Sequence, residues 1–372
     1  MNIQIFGTKK CNDTKKAERF FKERGIKYQF VDMKEKGLSK GEFHSVCQAV
    51  GGYEKLIDPK CKDKNLLALI QYLSEEDKKE KILEINHMKI SFCQYQKGMH
   101  QTELPVISDL NVTVRAGEMV AIVGSSGSGK SLLAHGILGI LPYNASMKGG
   151  IQYCGEPLTE KKIRKLRGKE IVLVPQSTSY LDPLMKVGQQ ICKGKKDPEK
   201  KGKLDRIFEK YSLDKKVQEQ YPFELSGGMT RRIMISTALI ETPKLVIADE
   251  PTPGLDPKLA RRAMEHFRQL ADMGAAVLII TLDLELALET ADRIQVFYAG
   301  YTVEDAMAED FAKEETLRHP YTKALWRAMP KNGFHYIDGV QPYARDRKQG
   351  CPFAPRCEKC TDGCQEKEIP WR

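Results

Sequence analysis

The sequence predicts a chain of three parts: a small incomplete α/β domain, a larger α/β domain on a parallel sheet with a helical subdomain, and a Cys-rich irregular extension. Three observations predict it. Short, nearly continuous apolar runs at Met119 to Val123, Ile171 to Val174, Leu245 to Ala248, Val277 to Thr281 and Arg293 to Tyr298 alternate with helix-like stretches, as strands covered on both faces do. Residues 1–84 carry a separate strand, helix, strand pattern ahead of those runs. Beyond Glu309 the rhythm is lost and Pro, Gly and Cys become frequent. The boundaries expected are therefore 1–84, 85–308 and 309–372.

With 41% hydrophobic and 30% charged residues in 372, the chain has ample material for packed cores, and a wholly disordered chain is excluded. No apolar run approaches the roughly 20 residues that cross a bilayer. No export signal opens the chain, so a protein that neither spans a membrane nor is secreted is expected. Cys47, Cys61, Cys93, Cys154 and Cys192 are scattered without a pairing pattern, which fits a reducing compartment. Net charge is +10, and residues 186–216 hold eleven Lys/Arg against five Asp/Glu. That run reads as a solvated helical surface, and nucleic acid is not expected as a partner.

In the first part, Asn2 to Gly7 reads as a strand. Asp13 or Thr14 can cap a helix to Gly25 with Ala17, Phe20 and Phe21 on one face. Tyr28 to Met33 reads as a second strand, followed by helical patterns at Ser39 to Val50 and Asn65 to Leu83. Cys11 falls between the first strand and the helix, where the helix N-terminus favours a thiolate, and is a candidate redox thiol. The segment from Phe6 to Ala17, with Gly51 to Asp63, resembles the arsenate reductase/Spx branch of the thioredoxin-like fold. That family's Thr-Pro strand, further strand and anion-contacting arginine do not follow Leu83, so the resemblance implies a truncated domain. Thiol-dependent reduction through Cys11 is the alternative function it offers.

The second part carries the chemistry. After the run ending at Val123 comes Gly124, Ser125, Ser126, Gly127, Ser128, Gly129, Lys130, Ser131, then an apolar helical stretch, Leu132 to Leu141. This is a phosphate-binding loop in its required setting. The glycines let backbone N–H groups turn inward, the helix N-terminus adds positive potential, Lys130 reaches the β and γ phosphates, and Ser131 offers a hydroxyl to Mg2+. Leu245 to Glu250 then reads as a buried strand ending in two carboxylates, Asp249 for Mg2+ and Glu250 to polarise the attacking water. Ser226, Gly227 and Gly228 open an amphipathic helix that carries Ile233, Met234, Ala238 and Leu239, an anion-binding cap in form.

The phosphate loop, Gln176 in Val-Pro-Gln, Leu-Ser-Gly-Gly at Leu225–Gly228, Asp249-Glu250-Pro251 and Gly254-Leu255-Asp256 together resemble the ATP-binding subunits of ABC transporters. The resemblance implies a head-to-tail pair of such domains, each phosphate loop facing the partner's Ser226–Gly228 motif with two ATP clamped between. It implies that Gln176 touches Mg2+ and the membrane subunit, that Asp256 couples the two sites, and that an aromatic residue stacks on adenine, with Tyr95 as candidate beside Phe92. One position departs: the family's switch histidine should follow Val277 to Thr281, where the chain reads Thr281-Leu282-Asp283. A leucine donates no hydrogen bond to a γ phosphate, and losing one such contact lowers rate by roughly 10²–10³. Slow hydrolysis is expected, and a degenerate partner in an asymmetric pair is the second functional alternative.

In the tail, His319 to Leu325 and Gly350 to Cys357 resemble the C-terminal extension of oligopeptide, dipeptide and nickel importer ATPases, and Leu181 to Val187 fits the same branch. Cys351, Cys357, Cys360 and Cys364 are close enough in sequence for one metal centre, a [4Fe-4S] cluster or zinc. The function expected is an ATP-hydrolysing subunit of a peptide or nickel importer on the cytoplasmic face of the membrane. Its expected partners are a second ATP-binding subunit, transmembrane permease subunits and, indirectly, an extracytoplasmic substrate-binding protein.

Overall fold

A computed structural model describes residues 3–7, 12–25, 28–32, 80–95, 100–193, 198–240, 243–346 and 350–366. The chain forms two compact units, Met1–Ser74 and Glu75–Arg372. In the first, β1 (Ile3–Gly7) and β2 (Tyr28–Asp32) pair in parallel with Ile5 opposite Phe30. Parallel pairing needs a crossover, and α1 (Asn12–Glu23) supplies it. The helix begins at Asn12, ahead of the expected cap, and Phe20 is exposed, lying edge-on to Phe21. Cys11, Cys47, Cys61 and the helical patterns expected at Ser39 to Val50 and from Asn65 lie outside the described residues.

The second unit begins with β3 (Lys81–Tyr95), β4 (Gln101–Arg115), β5 (Met119–Val123), α2 (Lys130–Ile137), β6 (Ala145–Tyr153) and β7 (Glu156–Pro157). There follow α3 (Glu160–Leu166), β8 (Ile171–Val174), α4 (Val187–Ile191), α5 (Pro198–Lys210), α6 (Gly227–Leu239) and β9 (Leu245–Asp249). The rest comprises α7 (Pro257–Asp272), β10 (Ala276–Thr281), α8 (Leu284–Leu288), β11 (Arg293–Tyr298), β12 (Tyr301–Met307), α9 (Pro320–Ala328) and the short α10 (Gly363–Glu366). The strands form one ten-stranded sheet ordered β7-β6-β3-β4-β12-β11-β5-β10-β9-β8.

The five runs read as strands are strands, and β11, β5, β10, β9 and β8 pair in parallel. Successive side chains point to opposite faces, so Met119, Ala121 and Val123 enter one core while Val120 and Ile122 enter the other. Burial on both sides is why these runs are nearly continuously apolar, and in β11 the buried Arg293 and Gln295 are paired with Glu118 and Asp305. On α5, Leu204, Ile207 and Phe208 are buried, leaving its charged residues on the outer face.

The antiparallel half of the sheet is not among the strands expected from the sequence. The β3 strand pairs with β4 on one side and β6 on the other, and its register shifts between Ile85 and Ile90 interrupt the alternation that would have marked it. Lys81 to Leu83, expected as a helix end, open this strand. The tail also corrects the expectation of an irregular stretch. Its nine-residue helix α9 starts at Pro320, capped by His319 Nδ1, which accepts from the Tyr321 N–H at 3.1 Å. Tyr321 and Phe353 pack on Tyr298 of β11 with ring centroids 4.3 and 5.4 Å away, in the same core as β5 and α6.

Candidate functional site

The loop between β5 and α2 is shaped by what surrounds it. A Cβ on Gly124 would lie 2.0 Å from the Phe297 carbonyl oxygen, so only glycine lets the loop leave β5 beside β11. Gly127 and Gly129 have φ of +74° and +100°, a region that L side chains rarely enter. Lys130, first residue of α2, turns back and donates from Nζ to the carbonyls of Gly124 (2.8 Å) and Ser125 (2.7 Å). Burial lowers its pKa to about 8, against the pull of Glu250 and Asp249. The cation is thus partly desolvated and ready to gain from a phosphate.

The two carboxylates sit at the C-terminal end of β9, next to this loop. Burial raises the pKa of Asp249, opposed by a hydrogen bond from the Ser131 hydroxyl. Its Oδ1 is buried without a hydrogen-bond partner. Glu250 has φ +43°, and its N–H is fixed on the Ile280 carbonyl at 2.8 Å. Gln176 Nε2 donates to Glu250 Oε2 at 2.7 Å, so the structure brings Gln176 to Glu250 rather than to Asp249.

Arg231, in the first turns of α6, is a residue the sequence reading missed. Its buried guanidinium donates through Nη1 to the carbonyls of Pro175 (3.0 Å) and Gln176 (2.8 Å) and through Nη2 to the carbonyl of Glu250. One planar cation therefore ties the Ser226–Gly228 helix to both the Gln176 loop and the Glu250 backbone. The available signal was a charge in the first turns of the helix that carries the buried Ile233, Met234 and Ala238.

Other expected residues lie apart from that cluster. Ser226 caps α6, its Oγ accepting from Met229 N–H at 3.3 Å, and with Gly227 it is exposed. Asp256 caps α7, accepting from the N–H groups of Lys258 and Leu259. Tyr95 is 69% exposed while Phe92 packs against the core, leaving Tyr95 the ring open to a ligand. Leu282, half exposed, stands with Glu250, Gly254, Arg261 and Asp283 around a cleft of about 360 Å³.

The four-thiol metal centre finds no support. Among the described residues no group of three or more His, Cys, Asp or Glu side chains is placed to hold a metal. The sulfurs have local neighbours instead: Cys351 Sγ lies 3.8 Å from His319 Nε2, Cys364 Sγ 3.4 Å from the Thr361 hydroxyl, and Cys360 Sγ 3.8 Å from Gln365 Nε2. Burial raises the pKa of Cys351 and Cys357, whereas hydrogen bonding with Thr361 lowers that of Cys364.

Residues 107–253 match the family described as ABC transporter, and residues 303–364 match the oligopeptide/dipeptide transporter C-terminal region. The chain is 34% identical to the oligopeptide transport ATP-binding protein AppD of Bacillus subtilis, over 76% of this chain and 90% of that protein. It is also 34% identical to the dipeptide transport ATP-binding protein DppD of Haemophilus influenzae, over 77% and 91%. Among solved structures it resembles an ATP-binding subunit of an ABC transporter (TM-score 0.51, 23% identity, 64% of this chain and 94% of that one). A dimeric post-hydrolysis ATP-binding cassette bound to ADP and Pi is similar too (TM-score 0.52, 21% identity, 61% and 99%). These two likenesses show the fold.

Proposed function

Because this chain belongs to the ATP-binding proteins of the oligopeptide and dipeptide ABC transporters, we propose that it binds ATP on Gly124–Ser131 and hydrolyses it to drive peptide import. One observation carries the site assignment: Lys130, Asp249, Glu250 and Gln176 converge where β5 and β9 end. The peptide-transport relatives give the nickel alternative no support. Among the described residues no helix is long and apolar enough to cross a membrane.

The loop's N–H groups and Lys130 take the phosphates. Glu250 accepts the proton of the attacking water, and Gln176 and Arg231 fix where its carboxylate and carbonyl sit. The buried, unpartnered Oδ1 of Asp249 beside the Ser131 hydroxyl fits Mg2+, which takes hard oxygen donors and would neutralise charge on phosphate oxygens. Exposed Ser226 and Gly227, with half-buried Gly228, support a second subunit whose nucleotide they face across a head-to-tail dimer, with Asp256 at the joint and Tyr95 on adenine.

The lowered pKa of Lys130 sets a pH dependence. Phosphate favours the charged lysine, so binding takes up a proton wherever the free lysine is neutral. Affinity for ATP should hold below pH 8 and fall above it, by up to tenfold per pH unit. Titration calorimetry from pH 7 to 9.5 checks this, and a slope that persists in Lys130→Arg would assign the effect to another group.

Leu282 supports the second reading, a slow or degenerate member of an asymmetric pair. Leu282→His should recover a large part of the roughly 10²–10³ in rate that one such donor contributes. Turnover of the protein with its partner subunit is the measurement, and no gain over wild type sinks the reading. The parallel β1 and β2 joined by α1 support a shortened thioredoxin-like N-terminal unit.

A further inference from the structure

The C-terminal extension reaches the phosphate loop. Ser125 lies in that loop, and its Oγ donates to Oε1 of Gln341, 216 residues later in the chain. The same Oε1 accepts the Ala299 N–H at 3.4 Å, just past β11. The segment carrying Gln341 is fastened in turn by Arg356, which donates to the carbonyls of Asp338 (2.9 Å) and Ile337 (3.1 Å) and to the Tyr298 hydroxyl (3.2 Å). Phe353 seats that arginine's neighbourhood in the main core.

We propose that Gln341 is a positioning residue of the nucleotide site, holding Ser125 so that the phosphate loop is pre-set before ATP arrives. This rests on the reading of Gly124–Ser131 as the ATP loop. The physical reason is entropic. Three glycines give the loop wide backbone freedom, and ordering it on binding weakens affinity. A tether on Ser125 removes part of that freedom beforehand, which tightens binding without touching the reacting atoms. Ser125 also presents its carbonyl to Lys130 Nζ at 2.7 Å, so fixing Ser125 fixes an anchor of the loop's one cation.

The contact uses an acceptor oxygen, so Gln341→Met keeps the volume and removes the hydrogen bond to Ser125 together with the longer one from the Ala299 N–H. In the full chain with its partner subunit, Gln341→Met should weaken equilibrium binding of ATP about fivefold, the scale of one lost hydrogen bond. The KM for ATP should rise by the same factor, while kcat at saturating ATP stays within twofold. Ser125→Ala breaks the contact from the other end, so adding Gln341→Met to it should weaken ATP binding no further than Ser125→Ala alone. Should Gln341→Met unfold, Gln341→Ala carries the test, with a thermal melt confirming its fold. Binding within twofold of wild type, tighter binding, a loss confined to kcat, or additive singles would each overturn the proposal. Wild-type protein that binds no ATP overturns the nucleotide-site reading itself, a distinct failure.

Discussion

Replacing Glu250 with glutamine should lower ATP turnover by about 10²–10⁴-fold, the range that a positioned proton acceptor contributes, while ATP still binds. Glutamine has the same shape, and the backbone contacts of Glu250 to Ile280 and Arg231 do not involve its side chain. What is lost is a carboxylate able to take a proton from water. The Gln176 amide now at 2.7 Å would face another amide, which can still accept, so the loop should keep its place. Phosphate release in single turnover, measured beside equilibrium ATP binding, separates the two effects. Undiminished turnover would move the proton acceptor away from β9.

Arg231→Met should be the second large effect, and it should show in stability as well as in rate. The substitution keeps an apolar stem and leaves the carbonyls of Pro175, Gln176 and Glu250 without their donor. Unmade buried hydrogen bonds cost about 1–3 kcal/mol each, although the arginine's own burial, which lowers its pKa, offsets part of the loss. A net loss of about 2–4 kcal/mol is expected, read from urea unfolding at unchanged slope. Turnover should fall further than the folded fraction does, because one guanidinium sets both the Gln176 loop and Glu250. Arg231→Lys should restore little, since an ammonium cannot spread over three carbonyls as a planar fork does. Wild-type stability and rate in Arg231→Met would show that the three carbonyls find other donors.

Much of this was legible in the sequence because the parallel strands are nearly continuous apolar runs and two of them end at a motif. Met119–Val123 leads to the glycine-rich loop and Leu245–Asp249 to the paired acids, so strand, ligand group and helix follow one another along the chain. The antiparallel half was not legible, since β3 changes register between Ile85 and Ile90. Nor were Arg231 and Gln341, whose roles depend on partners far away: Arg231 meets carbonyls at Pro175 and Glu250, and Gln341 meets Ser125. Local spacing carries no trace of such pairs. The cysteine tail erred the other way, with spacing suggesting a cluster that side-chain placement does not make.

The position of β12 has a consequence for how this protein is made. Although Tyr301–Met307 comes late in the chain, it lies mid-sheet between β4 and β11, with Tyr301 opposite Asp109 and Arg293 opposite Met307. A ribosome must therefore extrude nearly the whole cassette before the two halves of the sheet can be joined. Until then β4 and β11 both present open edges, which pair readily with other chains. Fragments cut before residue 301 should accumulate as insoluble material during expression, and chaperone demand should peak late in synthesis.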